Sequence, residues 1–405
     1  MDIFKKRWVT EKLREATSFS PVTVLTGARQ TGKSTLLNYE EPFRSWRYVT
    51  MDDLDVMAIA TKDPGAIIED SGPLIIDEVQ KAPNLLPAIK MAVDRDRSRR
   101  FILSGSSNLL LMKGVSETLA GRAIYLDLFP FSYGEYKGKG RPDWISDVLA
   151  GVEPRFPEVS GEENIRSLLF RGFLPPVTEL SQEKHVSLWW RGYIATYLER
   201  DLRDISRISN LPDFRRVMSL LAMRQASILR QSEVARDAAL SAATVSRYVN
   251  LLEVSNLFAK LRPYSKNVAT RVIKSPKGLF VDSGLACALA GFTEKDRIPD
   301  EWWGGLFEGF IFSNLLIVTH LTGGEIYYFR TQGGKEKEVD FILDVGGRLC
   351  AFEVKFSERI ALRDAEGIRY LQSLLPRLSG GVVLYAGKEI KRLFKGIYAV
   401  PYWCL

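Results

Sequence analysis

The sequence predicts an α/β protein in three parts, because its pattern changes twice along the chain. The first two hundred residues alternate short apolar runs with helical stretches, which is typical of a parallel sheet covered on both faces. The middle is helical and ends in two strands around a basic turn. From about residue 295, a long helical stretch precedes four further apolar runs, which indicates a small α/β domain. We expect domains at residues 1–203, 204–290 and 291–405.

Composition limits the class of protein. The chain has 405 residues, 46% of them hydrophobic, which is long and apolar enough for more than one buried core. Its 56 basic and 49 acidic residues give a charge of +7, which suits a nucleic-acid partner and equally suits ordinary surface charge. Three scattered cysteines and two histidines argue against disulfides, a zinc site and serine–histidine–aspartate catalysis.

The sequence indicates a cytoplasmic protein with no membrane partner. Its first residues, MDIFKKRWVTEKLREA, alternate charged and apolar side chains and lack a signal-peptide core. No uninterrupted run of about 18 apolar residues occurs, so we expect no membrane-spanning segment. The stretch 138–164 is rich in Gly, Pro and Ser and is the expected internal loop.

Residues 27–34 read GARQTGKS, which is the spacing of a phosphate-binding loop between a strand and a helix. Gly27 and Gly32 let the backbone approach phosphate because they carry no Cβ. Lys33 is expected to reach the β- and γ-phosphates, and Ser34 to supply a hydroxyl to magnesium. The predicted ligands are therefore ATP and Mg²⁺. The predicted nucleotide contacts are Gly27, Ala28, Arg29, Gln30, Thr31, Gly32, Lys33, Ser34 and Thr35.

A second motif, PLIIDEVQ at residues 73–80, places two acidic residues at the end of an apolar strand. Ligands of open α/β sheets bind at that edge. We predict that Asp77 holds magnesium through water and that Glu78 polarises the water that attacks the γ-phosphate. The alternative is an acidic pair that faces solvent.

A third polar stretch follows the strand FILSGSS. A side chain there would lie between the phosphate loop and the acidic pair, where it can sense the γ-phosphate. Ser106 is the first candidate for this role and Asn108 the second. A loop or a helix cap is the alternative, because Ser and Asn are common at both.

Four stretches together resemble the AAA-type ATPase module of a large bacterial and archaeal family of ATP-binding proteins. They are GARQTGKST, LIIDEVQ, FILSGSS and LAGRAIYLDLFPFSYGEY, and the resemblance covers residues 1 to about 200. It implies the AAA+ sheet, in which the sensor strand separates the strand of the acidic pair from the phosphate-loop strand.

The same resemblance gives a role to one arginine and to oligomerisation. Arg122 stands where an arginine finger or sensor would neutralise developing negative charge, in its own protomer or in a neighbour. Such modules often form rings, so a homo-oligomer is one candidate state. The alternative is a helix-terminal arginine paired with a nearby acid.

The sequence pattern of the helical middle part predicts either a contact with DNA or a docking module. Residues 232–258 read as two helices joined by a turn, with Ser246, Arg247 and Asn250 on the face away from the core. Such residues can meet phosphates or base edges. The family resemblance continues here and implies a winged helix, which also serves in other proteins as a structural or protein-docking module. The basic residues of its expected wing are Arg262, Lys266, Arg271, Lys274 and Lys277.

The segment KEVDFILDVGGRLCAFEVKF carries another charged set. Glu353 and Lys355 lie two apart and project from one face of a strand, and Asp340 lies near the start of the strand before. With Glu308 upstream, the order resembles the PD-(D/E)XK nuclease fold, although Val339 stands where the name-giving proline would be. The alternative is a charged strand face exposed to solvent.

The nuclease resemblance implies a catalytic site. Glu308, Asp340 and Glu353 would bind magnesium there, with Asp340 and Glu353 in the catalytic set. Lys355 would orient water or stabilise the pentavalent phosphate.

Three functions fit the whole chain. The first is an ATP-dependent DNA-processing enzyme, in which ATP changes how DNA meets the C-terminal site. The second is a nucleotide-controlled switch that binds DNA or a protein partner without cleavage. The third is an interaction scaffold whose nucleotide is structural. The choice between DNA and RNA stays open.

Overall fold

The structure is a computed structural model that describes residues 4–105, 115, 118–157, 163–201, 210–265, 275–331 and 336–405, without the side chains of 198–201. These residues form two compact units. The first runs to Pro130 and includes residues 254–256, and the second holds the rest from Phe131 onward. The three-domain division at 1–203, 204–290 and 291–405 stays a prediction.

The first unit alternates strands and helices, which confirms the five predicted strands. The three central strands coincide with fully buried apolar runs, whereas the two edge strands are mostly only partly buried. The strands are β1 (Val22–Thr26), β2 (Arg47–Thr50), β3 (Leu74–Asp77), β4 (Phe101–Ser104) and β5 (Ala123–Asp127). The helices are α1 (Val9–Phe19), α2 (Lys33–Tyr39), α3 (Leu54–Lys62), α4 (Pro64–Ile68) and α5 (Leu85–Arg95).

The five strands form one parallel sheet in the order β2-β3-β4-β1-β5. Strand β4 lies between β3 and β1, as the AAA-type resemblance implies. Every residue of β1, β3 and β4 is buried, and apolar residues of α5 pack into the same core. Because all strands run the same way, the ends of β1 and β3 meet at one edge of the sheet.

The second unit contains eleven further described helices, which carry the numbers α6 to α16. The helix Glu183–Tyr193 continues as a π-helix over Ile194–Asp201. The helices are α6 (Tyr133–Tyr136), α7 (Trp144–Ala150), α8 (Ile165–Arg171), α9 (Pro175–Thr178), α10 (Glu183–Tyr193), α11 (Leu211–Ala222), α12 (Gln231–Ala238), α13 (Ala242–Val254), α14 (Ser283–Leu289), α15 (Asp300–Thr322) and α16 (Glu366–Leu374).

Two sheets complete the second unit. The first is antiparallel, has the order β6-β8-β7 and consists of β6 (Ser227–Ile228), β7 (Phe258–Leu261) and β8 (Lys277–Phe280). The second has the order β13-β14-β12-β11-β10-β9. Its strands are β9 (Glu325–Arg330), β10 (Glu338–Val345), β11 (Arg348–Lys355), β12 (Leu378–Tyr385), β13 (Lys391–Phe394) and β14 (Ile397–Pro401). In it, β9, β10 and β11 pair antiparallel, whereas β12 pairs parallel with β11 and β14.

Helix α15 bears on the expectation that no segment spans a membrane. By length and composition alone, it is long and apolar enough to cross a bilayer. The helix contains no long uninterrupted apolar run, because Glu308, Ser313 and Asn314 lie within it. In the structure, 61% of its most apolar window is buried, and it packs against β9, β10 and β11. This is the environment of a core helix in a globular unit.

The stretch 138–164, expected as a loop, contains the helix α7. Trp144 at its start is 1% exposed, and its indole nitrogen donates a hydrogen bond to the carbonyl of Cys404 at 2.8 Å. Apolar side chains of α7 pack against β11 and β12. Because Gly and Pro residues surround this buried helix, the sequence pattern predicted a loop instead.

One carboxylate organises the junction of α8 and α14. Asp282 accepts hydrogen bonds from the amides of Gly284 at 2.8 Å and Phe173 at 2.8 Å. A Cβ on Gly172, whose φ is +84°, would lie 2.2 Å from an Asp282 carboxylate oxygen. Glycine at 172 is therefore needed both for its backbone angle and for the space.

Replacement of Gly172 by alanine is expected to destabilise the second unit more than a left-handed backbone alone would. Gly151→Ala is the control for a left-handed position (φ +71°, ψ +21°) with nothing within 4 Å of the added methyl group. Gly172 (φ +84°, ψ −173°) adopts a backbone conformation that is essentially confined to glycine, so its variant adds backbone strain as well as overpacking. The control should lose about 1 kcal/mol, and Gly172→Ala about 3 kcal/mol, through added strain and overpacking. Urea unfolding followed by tryptophan fluorescence measures both. Equal midpoints for the two variants would contradict the steric account.

Candidate functional site

The phosphate loop connects β1 to α2 through three left-handed backbone positions. They are Gly27 at φ +145°, Gln30 at φ +66° and Gly32 at φ +92°. A Cβ on Gly27 would lie 2.2 Å from the carbonyl oxygen of Leu128. Only glycine fits that position, and the turn it permits brings loop amides to the start of α2, where an anion binds.

Lys33 lies inside this loop and is 6% exposed. Its ammonium donates hydrogen bonds to the carbonyls of Gly27 and Ala28, each at 2.9 Å. Burial lowers the pKa of Lys33 to about 8, against the opposing effect of Glu78 and Asp77. The group therefore stays mainly protonated at neutral pH and can pair with a phosphate.

Asp77, at the end of β3, accepts hydrogen bonds from two hydroxyl groups. Ser34 donates to its Oδ2 at 2.7 Å, and Tyr48 on β2 donates to the same oxygen at 2.5 Å. Its other oxygen, Oδ1, is buried and has no hydrogen-bond partner. Hard oxygen ligands suit magnesium. The serine hydroxyl and the unpartnered carboxylate oxygen therefore fit a magnesium ion that Ser34 and Asp77 would hold.

Glu78 follows in an unusual backbone conformation. Its φ is +53°, in a region that non-glycine residues rarely occupy and that costs about 1–3 kcal/mol. The side-chain amide of Gln80 donates a hydrogen bond to the Glu78 carboxylate. Strain of this kind concentrates at functional sites, which agrees with the predicted role of Glu78.

Two residues that sequence reasoning missed support this site. Tyr48 reaches Asp77 from the neighbouring strand, and Arg7 is buried beneath the loop. Arg7 donates hydrogen bonds to the carbonyls of Thr31 at 2.7 Å and Phe129 at 2.6 Å. It thus fastens the phosphate loop to the segment after β5. Neither residue belongs to a local motif, so spacing along the chain gives no signal for them.

The two sensor candidates, Ser106 and Asn108, lie outside the described residues. Ser104 ends β4 between β3 and β1, and its hydroxyl is buried without a hydrogen-bond partner. The run that contains the candidates therefore starts at the expected edge of the sheet.

Arg122 lies at the opposite edge of the sheet from the phosphate loop of its own chain. Its carbonyl accepts a hydrogen bond from Val22 at the start of β1, whereas the loop follows the end of that strand. Four residue steps separate those ends by about 13 Å. Its guanidinium pairs with Asp94 at 2.7 and 3.0 Å, and this hydrogen bond lowers the pKa of Asp94. A role in trans stays a prediction.

The second charged set of the sequence lines one cavity of about 570 Å³ in the second unit. Glu308 on α15, Asp340 on β10, and Glu353 and Lys355 on β11 all contribute to its wall. Lys355 pairs with Glu353 at 2.7 Å, and the amide of Val354 donates to Asp340 at 2.9 Å. The predicted residues are brought together, and they are largely buried instead of exposed on a strand face.

A lysine assigned to the wing lies among these carboxylates, which is the main correction to the sequence analysis. Lys277 on β8 has a side chain that is 3% exposed. Its ammonium lies 2.9 Å from Glu308, 2.7 Å from Glu338 and 3.3 Å from Asp340. Burial opposes its charge, but these three carboxylates raise the pKa of Lys277 well above its ordinary value.

The cluster differs from the expected metal site. In the described part of the chain, no group of three or more His, Cys, Asp or Glu side chains has the geometry to hold a metal ion. Burial raises the pKa of Glu308 to about 8, against the effect of Lys277. Burial also raises the pKa of Glu353 to about 8, helped by Asp340. Glu308, Asp340 and Glu353 therefore do not fit magnesium in the arrangement seen here.

The other wing residues divide into two groups. Arg262 is exposed, as expected for a phosphate contact. Lys266, Arg271 and Lys274 lie outside the described residues. On helix α13, Arg247 and Asn250 are exposed and Ser246 is partly buried. The predicted outer face of α13 is thus confirmed as accessible.

Comparison with known protein families adds to this geometry. Residues 19–137 match the family model described as AAA domain. The first part of the chain is therefore similar to AAA domains. Residues 162–296 and 303–405 match two models described as domains of unknown function, DUF8612 and DUF4143.

Relatives of the whole chain occur in bacteria and archaea. Proteins of Mycobacterium bovis and Mycobacterium tuberculosis, both described as uncharacterized, are 29% identical over 98% of this chain and 84% of theirs. An uncharacterized protein of Methanocaldococcus jannaschii is 21% identical over 80% of this chain and 72% of its own. Among solved structures, a Walker-type ATPase of Pyrococcus abyssi matches with a TM-score of 0.40 and 17% identity, covering 71% of this chain and 96% of that one.

The hydroxyl of Tyr48 is expected to position Asp77 for magnesium. Tyr48→Phe removes one hydrogen bond worth about 1 kcal/mol and should weaken magnesium-dependent ATP binding roughly fivefold. Titration of a fluorescent ATP analogue with and without Mg²⁺ measures this, with Tyr39→Phe as the control because Tyr39 is 63% exposed. An unchanged magnesium dependence in Tyr48→Phe would show that the hydroxyl does not support the site.

Proposed function

We propose that the protein binds ATP with Mg²⁺ and hydrolyses it at the phosphate loop. The observation that carries this proposal is the 2.7 Å hydrogen bond between Ser34 and Asp77, which joins the start of α2 to the end of β3. It puts the two magnesium-binding positions of a P-loop ATPase side by side, next to the buried Lys33.

Each residue then has a distinct part in the reaction. Lys33 pairs with the β- and γ-phosphates, while Ser34 and Asp77 hold magnesium. The ion supplies positive charge to the phosphate oxygens when it is bound. Glu78 orients and polarises the attacking water, because it directly follows the strand that delivers Asp77.

The Glu78→Gln variant separates binding from hydrolysis. It should keep ATP affinity within about twofold and lower the hydrolysis rate by a factor of 10² or more, since it removes the general base. Lys33→Ala should lose ATP binding itself. Phosphate release and nucleotide titration measure the two effects, with the exposed Glu69→Gln as the control. Normal hydrolysis by Glu78→Gln would overturn the assignment of the base.

We propose further that residues 210–280 form a winged helix that binds DNA. The support is the element order α11, β6, α12, α13, β7 and β8, in which two helices precede an antiparallel pair. The exposed Arg247 and Asn250 lie on the outer face of α13, where such modules contact phosphates and bases. Lys277 takes no part in this contact because it is buried.

The C-terminal part is proposed to be a nuclease-like domain. The support is the succession of α15, β9, β10, β11, α16 and β12, with β12 parallel to β11. Asp340, Glu353 and Lys355 line one cavity in this arrangement. ATP binding would then change how DNA meets this domain, in a cytoplasmic enzyme that acts alone or as a homo-oligomer.

A second candidate function is a nucleotide-controlled switch that binds DNA or a protein partner without cleaving it. The observation that favours it is Lys277, whose ammonium lies among the carboxylates that a nuclease would use for magnesium. In this function the C-terminal domain is a binding surface, and ATP hydrolysis controls when that surface is used.

DNA contact by α13 predicts a change in salt dependence. Arg247→Ala should weaken DNA binding similarly for different sequences and reduce the slope of log affinity against log salt by about 1. Arg297→Ala is the control, because Arg297 is also exposed in the same unit but lies outside the proposed winged helix. Fluorescence anisotropy across a salt series measures the slope. The same slope for Arg247→Ala and the wild type would remove α13 from the DNA contact.

A further inference from the structure

The ammonium of Lys277 is coordinated as a bound cation would be. All three of its neighbours are carboxylates, at 2.9 Å from Glu308, 2.7 Å from Glu338 and 3.3 Å from Asp340. A lysine ammonium has three N–H donors and no acceptor, so three carboxylate oxygens satisfy it completely. The oxygens converge on one point from two different elements, α15 and β10.

Lys277 shares these carboxyl groups with a second cation. Arg330 reaches Glu338 only at 3.7 Å and also pairs with Glu336 at 2.7 Å. Buried carboxylates are costly unless they are paired or bind a metal ion. A divalent cation at the position of the ammonium would meet the same three carboxyl groups.

A separate carboxylate oxygen in the same cavity also lacks a partner. Glu353 is 9% exposed, and Lys355 holds its Oε1 at 2.7 Å. Its Oε2 is buried and accepts no hydrogen bond. A buried acceptor of this kind costs about 1–3 kcal/mol, and a cation in the cavity would relieve that cost.

We propose that Lys277 is a built-in counter-cation that competes with a divalent cation for Glu308, Glu338 and Asp340. The inference rests on the proposed nuclease-like site and adds its regulation. Divalent cations bind carboxylate oxygens at about 2.0–2.6 Å, so the ammonium and the ion cannot share these oxygens. The cluster takes up a metal only when the Lys277 side chain withdraws.

The position of Lys277 on β8 gives the competition a mechanical connection. Strand β8 pairs with both β6 and β7, and it belongs to the proposed winged helix. A displacement of this small sheet moves the ammonium relative to α15 and β10.

The first test is manganese binding by the full-length protein, measured by calorimetry without nucleotide. Lys277→Gln should bind Mn²⁺ at least tenfold more tightly than the wild type, and Glu308→Gln added to it should abolish the gain. Lys260→Gln on β7 is the control, because Lys260 pairs with Glu253 and Asn250 outside the cluster. Equal Mn²⁺ affinity in Lys277→Gln and the wild type would overturn the proposal.

The second test uses the wild-type chain and stays decisive if Lys277→Gln does not fold. Acetylation by an activated ester is followed by peptide mass spectrometry with EDTA or with millimolar Mn²⁺. Lys277 should be protected in EDTA and become several-fold more reactive with Mn²⁺, while Lys260 stays unchanged. Equal protection of Lys277 in both conditions would overturn the competition.

Plasmid cleavage separates this inference from the nuclease function on which it rests. Both proposals are supported if Lys277→Gln binds Mn²⁺ more tightly than the wild type and cleaves DNA, while Asp340→Ala does not cleave it. If Lys277→Gln binds Mn²⁺ more tightly than the wild type but does not cleave DNA, the competition is supported and the nuclease function fails. Cleavage by the wild type with no Mn²⁺ gain in Lys277→Gln would support the nuclease and overturn the competition.

Discussion

Buried charges in this protein are kept in place by partners of opposite charge or by backbone groups, and both candidate sites depend on this pairing. Lys33 can lie inside the phosphate loop because the carbonyls of Gly27 and Ala28 accept hydrogen bonds from its ammonium in place of water. Lys277 is buried more completely because three carboxylates surround it. An unpaired charge at either position would cost several kcal/mol. The same pairing leaves specific oxygens of Asp77 and Glu353 without donors, where a cation is favoured.

The parallel sheet of the first unit brings motifs that are far apart in the sequence together at one site. Its order places β4 between β3 and β1, so the phosphate loop and Asp77 end at the same edge. Arg122 precedes β5 and therefore lies at the opposite edge. Strand direction alone thus explains why Ser34 contacts Asp77 and why Arg122 pairs with Asp94.

Local patterns predicted the strands of the first unit and the residues of the phosphate loop, because strand burial and loop chemistry depend on residues that are close together in the sequence. The same reasoning was wrong for Lys277, which looked like one more basic residue of a solvated hairpin. Its burial depends on Glu308 and Asp340, which lie far along the chain. Trp144 shows the same limit, since its partner is the carbonyl of Cys404.

The sequence by itself determined the type of chemistry: a loop that fits phosphate, an acidic strand end that fits magnesium, and a set of carboxylates with a lysine near the C-terminal end. These features follow from residue type and short spacing. Only the tertiary structure decided which charges meet, because Coulomb energy and desolvation depend on distance and burial in space. It gave Asp77 the hydroxyl of Tyr48, fastened the loop through Arg7, and placed Lys277 where a metal ion was expected.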